Sequence, residues 1–276
     1  MQWWCAATAA DWQWSWRPYP GVWLVVGLIA AAYLAALTRA RRRATVPSRQ
    51  PVYFAIGLVC LWAMLDWPIG ALGAGYLLSV HTLQYIVMTL VAMPLLLVGL
   101  PQPFWPEPGS AGLARLLHRL SHPALGLALF AATMAVTHVP AINESLMKSQ
   151  LGSFAVDMVW LLGAFGLWWP VLAPEGYVRM SLPAQIGYLF VASIPPTLPA
   201  AFMVFAAYPI YGLYELAPRV GAVSAGGDQQ TAGLIMKACS DPILWIAMAI
   251  VFFRWQRAEA RADGEAAGPT PQESPS

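Results

Sequence analysis

Charged residues make up only 10% of this 276-residue chain, against about 25% in an ordinary soluble domain, and that shortage excludes a water-soluble globule. Cysteine is scarce too. Cys5, Cys60 and Cys239 are too few and too scattered for a disulfide framework, and no Cys-x-x-Cys occurs. A Gly-rich phosphate loop, a nucleophile elbow and a basic nucleic-acid footprint are all missing, which removes the usual signatures of nucleotide, hydrolase and nucleic-acid chemistry. With no nucleophile–base constellation either, the chain is expected not to be an enzyme. The opening MQWWCAATAADWQWSW has no basic n-region, so no cleavable signal peptide is expected.

What is abundant is apolar surface, at 59% of residues. Runs of about 20 apolar residues are long enough to cross a bilayer as helices. They predict an all-α fold, a polytopic transmembrane bundle with spans at 21–38, 51–67, 77–100, 123–139, 153–172, 183–207 and 231–253. Span 6 is interrupted by Pro195, Pro196 and Pro199, and loops 101–122 and 208–230 separate the later spans. Three regions are expected: a Trp-rich segment lying on the bilayer surface (1–20), the seven-helix domain (21–255), and a disordered cytoplasmic tail (256–276).

Arginine placement sets the orientation. With the N-terminus outside, the inside segments hold Arg39, Arg41, Arg42, Arg43, Arg49, Arg115, Arg119, Arg179, Arg254, Arg257 and Arg261, and the outside ones only Arg17, Lys148 and Arg219. This positive-inside bias gives N-out, C-in.

That topology gathers polar groups at one leaflet. His81 begins span 3, His138 ends span 4, Asp157 lies one turn into span 5, Asp66 ends span 2, and Asp228, Gln229 and Gln230 open span 7. His81, Gln84, Tyr85 and Met88 share a helix face at spacings 0, +3, +4 and +7, and Met134 precedes His138 by four residues. Met203 and Met236 occupy the outer parts of spans 6 and 7. Imidazole beside thioether suits a soft cation such as Cu(I) better than magnesium or calcium. The candidate metal ligands are His81, His138, Met88 and Asp157. Gln84, Tyr85, Asp228 and Gln229 are candidates for orienting groups, and Lys237 with Asp241, close to mid-bilayer, for a mutually neutralised pair or a polar track beside Pro242. Packing is the alternative reading for each histidine and methionine, and contact with water the alternative for Asp66 and Asp228. His118-x-x-x-His122 has helical ligand spacing, but it lies on the arginine-bearing loop and His122 precedes Pro123, which disfavours helix there.

Six stretches, in order, resemble the CtaG family of cytochrome c oxidase assembly factors: HTLQYIVMTLVAMPLLLVGLP (81–101), SHPALGLALF (121–130), THVPAINESL (137–146), LWWPVLAP (167–174), YPIYGLYE (208–215) and DQQTAGLIM (228–236). The resemblance implies a multi-pass protein of the bacterial inner membrane that assists maturation of the haem–copper oxidase, supplying copper to its catalytic copper centre. It implies as partner the oxidase subunit carrying that centre, alongside the lipid bilayer; a homo-oligomer stays open. The family's span-3 motif reads His-x-x-Gln-His, whereas this chain has Tyr85 at the last position, and Asp157 stands near where the family offers histidine in span 5. Two alternatives remain at this stage. A transporter of copper or a small solute is suggested by the broken span 6 and the Lys237–Asp241 pair. A haem-binding membrane protein would use His81 and His138 as facing imidazoles.

Overall fold

The computed structural model describes residues 2–42, 45–101, 104–107, 110, 112–174, 176–177 and 180–266. Among them there is helix and no strand, as backbone polar groups in an apolar surrounding require. The helices are α1 (Pro20–Arg41), α2 (Arg49–Leu65), α3 (Ile69–Gly75), α4 (Leu78–Ile86), α5 (Met93–Gly99), α6 (Leu113–Leu120), α7 (Pro123–Thr137), α8 (Pro140–Met147), α9 (Gln150–Leu172), α10 (Leu182–Ala192), α11 (Thr197–Phe205), α12 (Gly212–Glu215) and α13 (Ala225–Ala266). Five stretches are long and apolar enough to cross a membrane: α1, Leu78–Gly99, α9, Leu182–Phe205 and α13. The number rises to seven if each of two bent pairs counts as one span, α2 with α3 (bent by 49°) and α6 with α7 (bent by 83°).

Leu78–Gly99 is one rod whose ladder widens to a π-helix over Val87–Ala92, between α4 and α5. Pro94 has no N–H for the carbonyl of residue 90 and crowds it, so the turn before it relaxes. Polar groups take up the slack. Thr89 Oγ1 donates to the Tyr85 carbonyl at 2.6 Å, and Trp168 Nε1 donates to the Thr89 carbonyl at 2.9 Å. The expected break in span 6 falls at residues 193–196, between α10 and α11. Helix α13, by contrast, runs through Pro242 without interruption.

Helix α7 packs on α9, α2 on α5, and α13 on both α4 and the α10–α11 pair. The described arginines of the basic set sit at the ends of α1 and α13, at the start of α2 and in α6. They lie at the end of the bundle opposite His81. Arg43 and Arg179, counted with them in the sequence, lie outside the described residues.

One boundary differs from expectation, and the N-terminal segment gains detail. The tail expected to be disordered from 256 stays helical through Ala266, while 267–276 lie outside the described residues. The N-terminal segment is not confined to a surface. Trp14 and Trp16 are exposed, but Trp4 and Cys5 are buried in the bundle. The segment is tied down by Trp3 N–H to Gln150 Oε1 (2.6 Å), Ala7 N–H to the Met147 carbonyl (3.0 Å) and Tyr76 hydroxyl to the Ala10 carbonyl (2.8 Å). These bonds fasten the segment to α8, α9 and the turn after α3.

Candidate functional site

The helix that carries His81 starts with no cap of its own, because Leu77 precedes it. The missing acceptor comes from 150 residues away. Asp228, in the first turn of α13, takes the Leu78 N–H at 2.6 Å, the Ser79 N–H at 3.3 Å and the Ser79 hydroxyl. A carboxylate there satisfies orphan N–H groups and complements the helix dipole. His81 lies one turn further on and is 5% exposed.

His138 is placed by a different device. It ends α7, where Pro140 stops the helix, and its Nδ1 lies 2.9 Å from the Met134 carbonyl. A carbonyl only accepts, so Nδ1 carries the proton and Nε2 the lone pair. The Tyr211 hydroxyl donates to the His138 carbonyl at 2.9 Å and fixes this corner.

The two imidazoles flank one aromatic pair. His81 stands 4.8 Å from Trp160 and His138 5.4 Å from Tyr85, ring centre to ring centre, with Tyr85 and Trp160 5.3 Å apart. Trp160 Nε1 is held by Thr137 Oγ1 at 3.1 Å. Asn143 of α8 places Nδ2 3.3 Å from His81 Nε2 and 3.4 Å from the Thr137 carbonyl. An amide N–H only donates, so here Nε2 of His81 accepts. Two buried oxygens in this cluster have no hydrogen-bond partner among the described residues, the Tyr85 hydroxyl and Asn143 Oδ1. Buried polar atoms are nearly always paired, so water or another group is expected against them.

The remaining candidates distribute as follows. Asp157 is buried, and its Oδ2 accepts the Trp4 indole N–H at 2.7 Å. Met88 is fully buried in the π-helical segment, two turns inward of His81. Gln84 faces α2 and α3: Nε2 donates to the Met64 carbonyl at 2.5 Å, and its Oε1 lies against Gly73. Gln229 links α13 to the chain before it through the Ile210 N–H (2.7 Å) and the Met203 carbonyl (3.3 Å). Asp66 accepts two indoles, Trp23 at 2.8 Å and Trp62 at 2.9 Å. Lys237 and Asp241 pair at 2.8 Å, and Lys237 also reaches Thr197 at 2.7 Å. This ties α13 to the start of α11, just past the break. His118 and His122 are both exposed, at the arginine-bearing end, and His122 is extended rather than helical.

Trp4, Ser79, Asn143, Trp160, Tyr211 and Tyr214 are the residues of this site that the sequence did not single out. Tyr214 donates its hydroxyl to the Gly73 carbonyl at 2.8 Å and lies 5.8 Å from the His81 ring. Asn143, Tyr211 and Tyr214 fall inside the family-like stretches 137–146 and 208–215. That membership was the available signal.

For a metal, the chemistry of the donors decides. Among the described residues no three His, Cys, Asp or Glu side chains gather into a group that could hold an ion. A tetrahedral zinc site or an oxygen cage of the calcium type therefore lacks its ligands. The donors that lie together are two imidazoles, the Tyr85 phenol between them and, one turn before His138, the thioether of Met134.

A many-helix membrane-type bundle with an aromatic, doubly imidazole-bearing cluster under one end is the class of protein that these features define. The chain belongs to the cytochrome c oxidase caa3 assembly factor family (Caa3_CtaG), whose model matches residues 31–258. No curated protein and no solved structure matches it.

Proposed function

We propose that the chain holds Cu(I) beneath the outer face of the bacterial cytoplasmic membrane and passes it to the oxidase subunit that carries the catalytic copper centre. In this reading it spans seven times, N-out and C-in, and acts by binding and release, not by turning over a substrate. Copper is the cargo. The supporting observation is the convergence of His81 and His138 on the Tyr85–Trp160 pair, with Nε2 of His138 left open by the proton on Nδ1.

The chemistry asked of these residues is modest. His138 offers a pre-oriented lone pair, since the Met134 carbonyl fixes both ring rotation and tautomer. His81 offers a second nitrogen once Asn143 gives up its hydrogen bond, at 3.3 Å a weak one. Buried Met134, one turn before His138 on the same helix, supplies soft sulfur near that ring, and ligand exchange among weak partners is what transfer needs. Asp157 serves as the anchor of the N-terminal segment instead of a ligand.

The test is made in cells. In a strain lacking the gene, the wild-type chain restores oxidase activity and copper content per haem, and the His81→Ala/His138→Ala double variant does not. Full restoration by the double variant at equal membrane abundance rejects copper handling at this site.

A further inference from the structure

The arginine-bearing end carries two adjoining cavities that the copper reading leaves unused. One, of about 560 Å³, lies where α5 and α9 end and α2 and α10 begin, and its polar lining includes Gln50, Ser181, Gln185 and Arg254. The other, of about 520 Å³, is an apolar groove between Leu78–Gly99, α9 and α13, walled by Leu90, Pro94, Trp168, Ile246 and Ile250 among others. Val98, Val171, Leu172 and Arg254 line both. The two are one cleft with a polar head and an apolar tail.

Among the described residues the head leaves some of its polar groups without partners. Gln185 is 4% exposed; among the described residues its Oε1 has no hydrogen-bond partner, while Nε2 donates to the Met180 carbonyl at 3.3 Å. The Ser181 side chain does not cap α10, and Ser181 and Leu182 at the start of that helix line the cavity. Arg254 makes no ion pair among the described residues. The tail runs beside α13 from Ile243 to Arg254, a rise of about 16 Å at 1.5 Å per residue.

We propose that this cleft binds a phospholipid with an anionic, hydroxyl-bearing headgroup. The phosphate lies on Arg254, whose planar guanidinium suits two phosphate oxygens. A headgroup hydroxyl donates to Gln185, and an acyl chain follows the groove beside Ile246 and Ile250. A wholly apolar occupant would leave the head unsatisfied, and a wholly polar one would leave the tail uncovered. Basic pockets between membrane helices at the arginine-rich side are suited to such headgroups.

The experiment offers the purified full chain, in neutral detergent, phosphatidylglycerol or phosphatidylcholine with identical acyl chains, and counts bound lipid by native mass spectrometry. Phosphatidylglycerol is retained roughly fivefold over phosphatidylcholine. Arg254→Gln abolishes that preference, while Arg261→Gln, further along α13, keeps it. Ile246→Trp, at a position 61% exposed and therefore tolerant of bulk, lowers retention of both lipids. Equal retention of the two lipids by the unaltered protein, or an unchanged preference in Arg254→Gln, overturns the proposal. Displacement of phosphatidylglycerol by inorganic phosphate overturns it too, in favour of a soluble-anion site.

Discussion

Asp228 and Asp157 are both carboxylates under the same end of the bundle, and their hydrogen bonds assign them different work. Asp228 takes three donors from the start of α4 and so sets where His81 begins its helix. Asp228→Ala is expected to cost about 1 kcal/mol, as loss of an N-cap does, with Asp228→Asn losing less because one carbonyl oxygen remains; thermal unfolding in detergent measures both. Asp157 holds Trp4. Trp4→Phe removes the donor and leaves a buried acceptor unmatched, a loss of about 1–3 kcal/mol. In the Trp4→Phe background, Asp157→Leu should then cost far less than it does alone, which a double-mutant cycle reads directly. The isolation of Asp157 among apolar neighbours was visible in the sequence. Its partner was not, because nothing local connects residue 157 to residue 4.

At the scale of elements, the long apolar runs were legible because a bilayer-length helix leaves a run of about 20 residues. α1, Leu78–Gly99, α9 and the broken Leu182–Phe205 lie where those runs do. The short pieces α3, α8 and α12 left no such mark. They are held by distant partners, as when Tyr214 reaches the Gly73 carbonyl, and too few residues are involved for any periodicity to form. Yet these pieces build the walls of the site, which is why Asn143 and Tyr214 went unread. Helix α3 depends on having no side chain at Gly73, where a Cβ would meet the Gln84 side chain and lie 3.1 Å from the His81 Cα. Gly73→Ala is therefore expected to push α3 away from α4, lowering the unfolding temperature. It should weaken Cu(I) retention without touching a ligand. Unchanged unfolding and retention in Gly73→Ala would show that this close approach is not needed.

For the whole molecule, helix without strand among the described residues follows from the need to satisfy backbone polar groups, and the gathering of most arginines at the end opposite His81 follows from the cost of charge in an apolar middle. Counting spans from the basic loops already placed His81 and His138 at a common end, though not the aromatic pair between them. Tryptophan clusters suit an interface, and composition alone does not reveal that Trp4 is buried against the bundle. The orientation yields its own test. A fluorescent protein fused after α13 should light up in the cytoplasm, and a cysteine placed at Lys148 should react with a membrane-impermeant maleimide in intact cells. The reverse pattern rejects N-out, C-in and moves the imidazole end to the cytoplasmic side.

The proposed function asks two imidazoles, 57 residues apart in the chain, to serve one soft cation. Its most direct test is an anaerobic Cu(I) titration of the purified protein against a chromogenic chelator. One equivalent should be withheld from the chelator by the wild type, and His81→Ala and His138→Ala should each release it, with the double variant no weaker than the weaker single one. Copper withheld equally by all three variants and the wild type, or by none, would contradict the account.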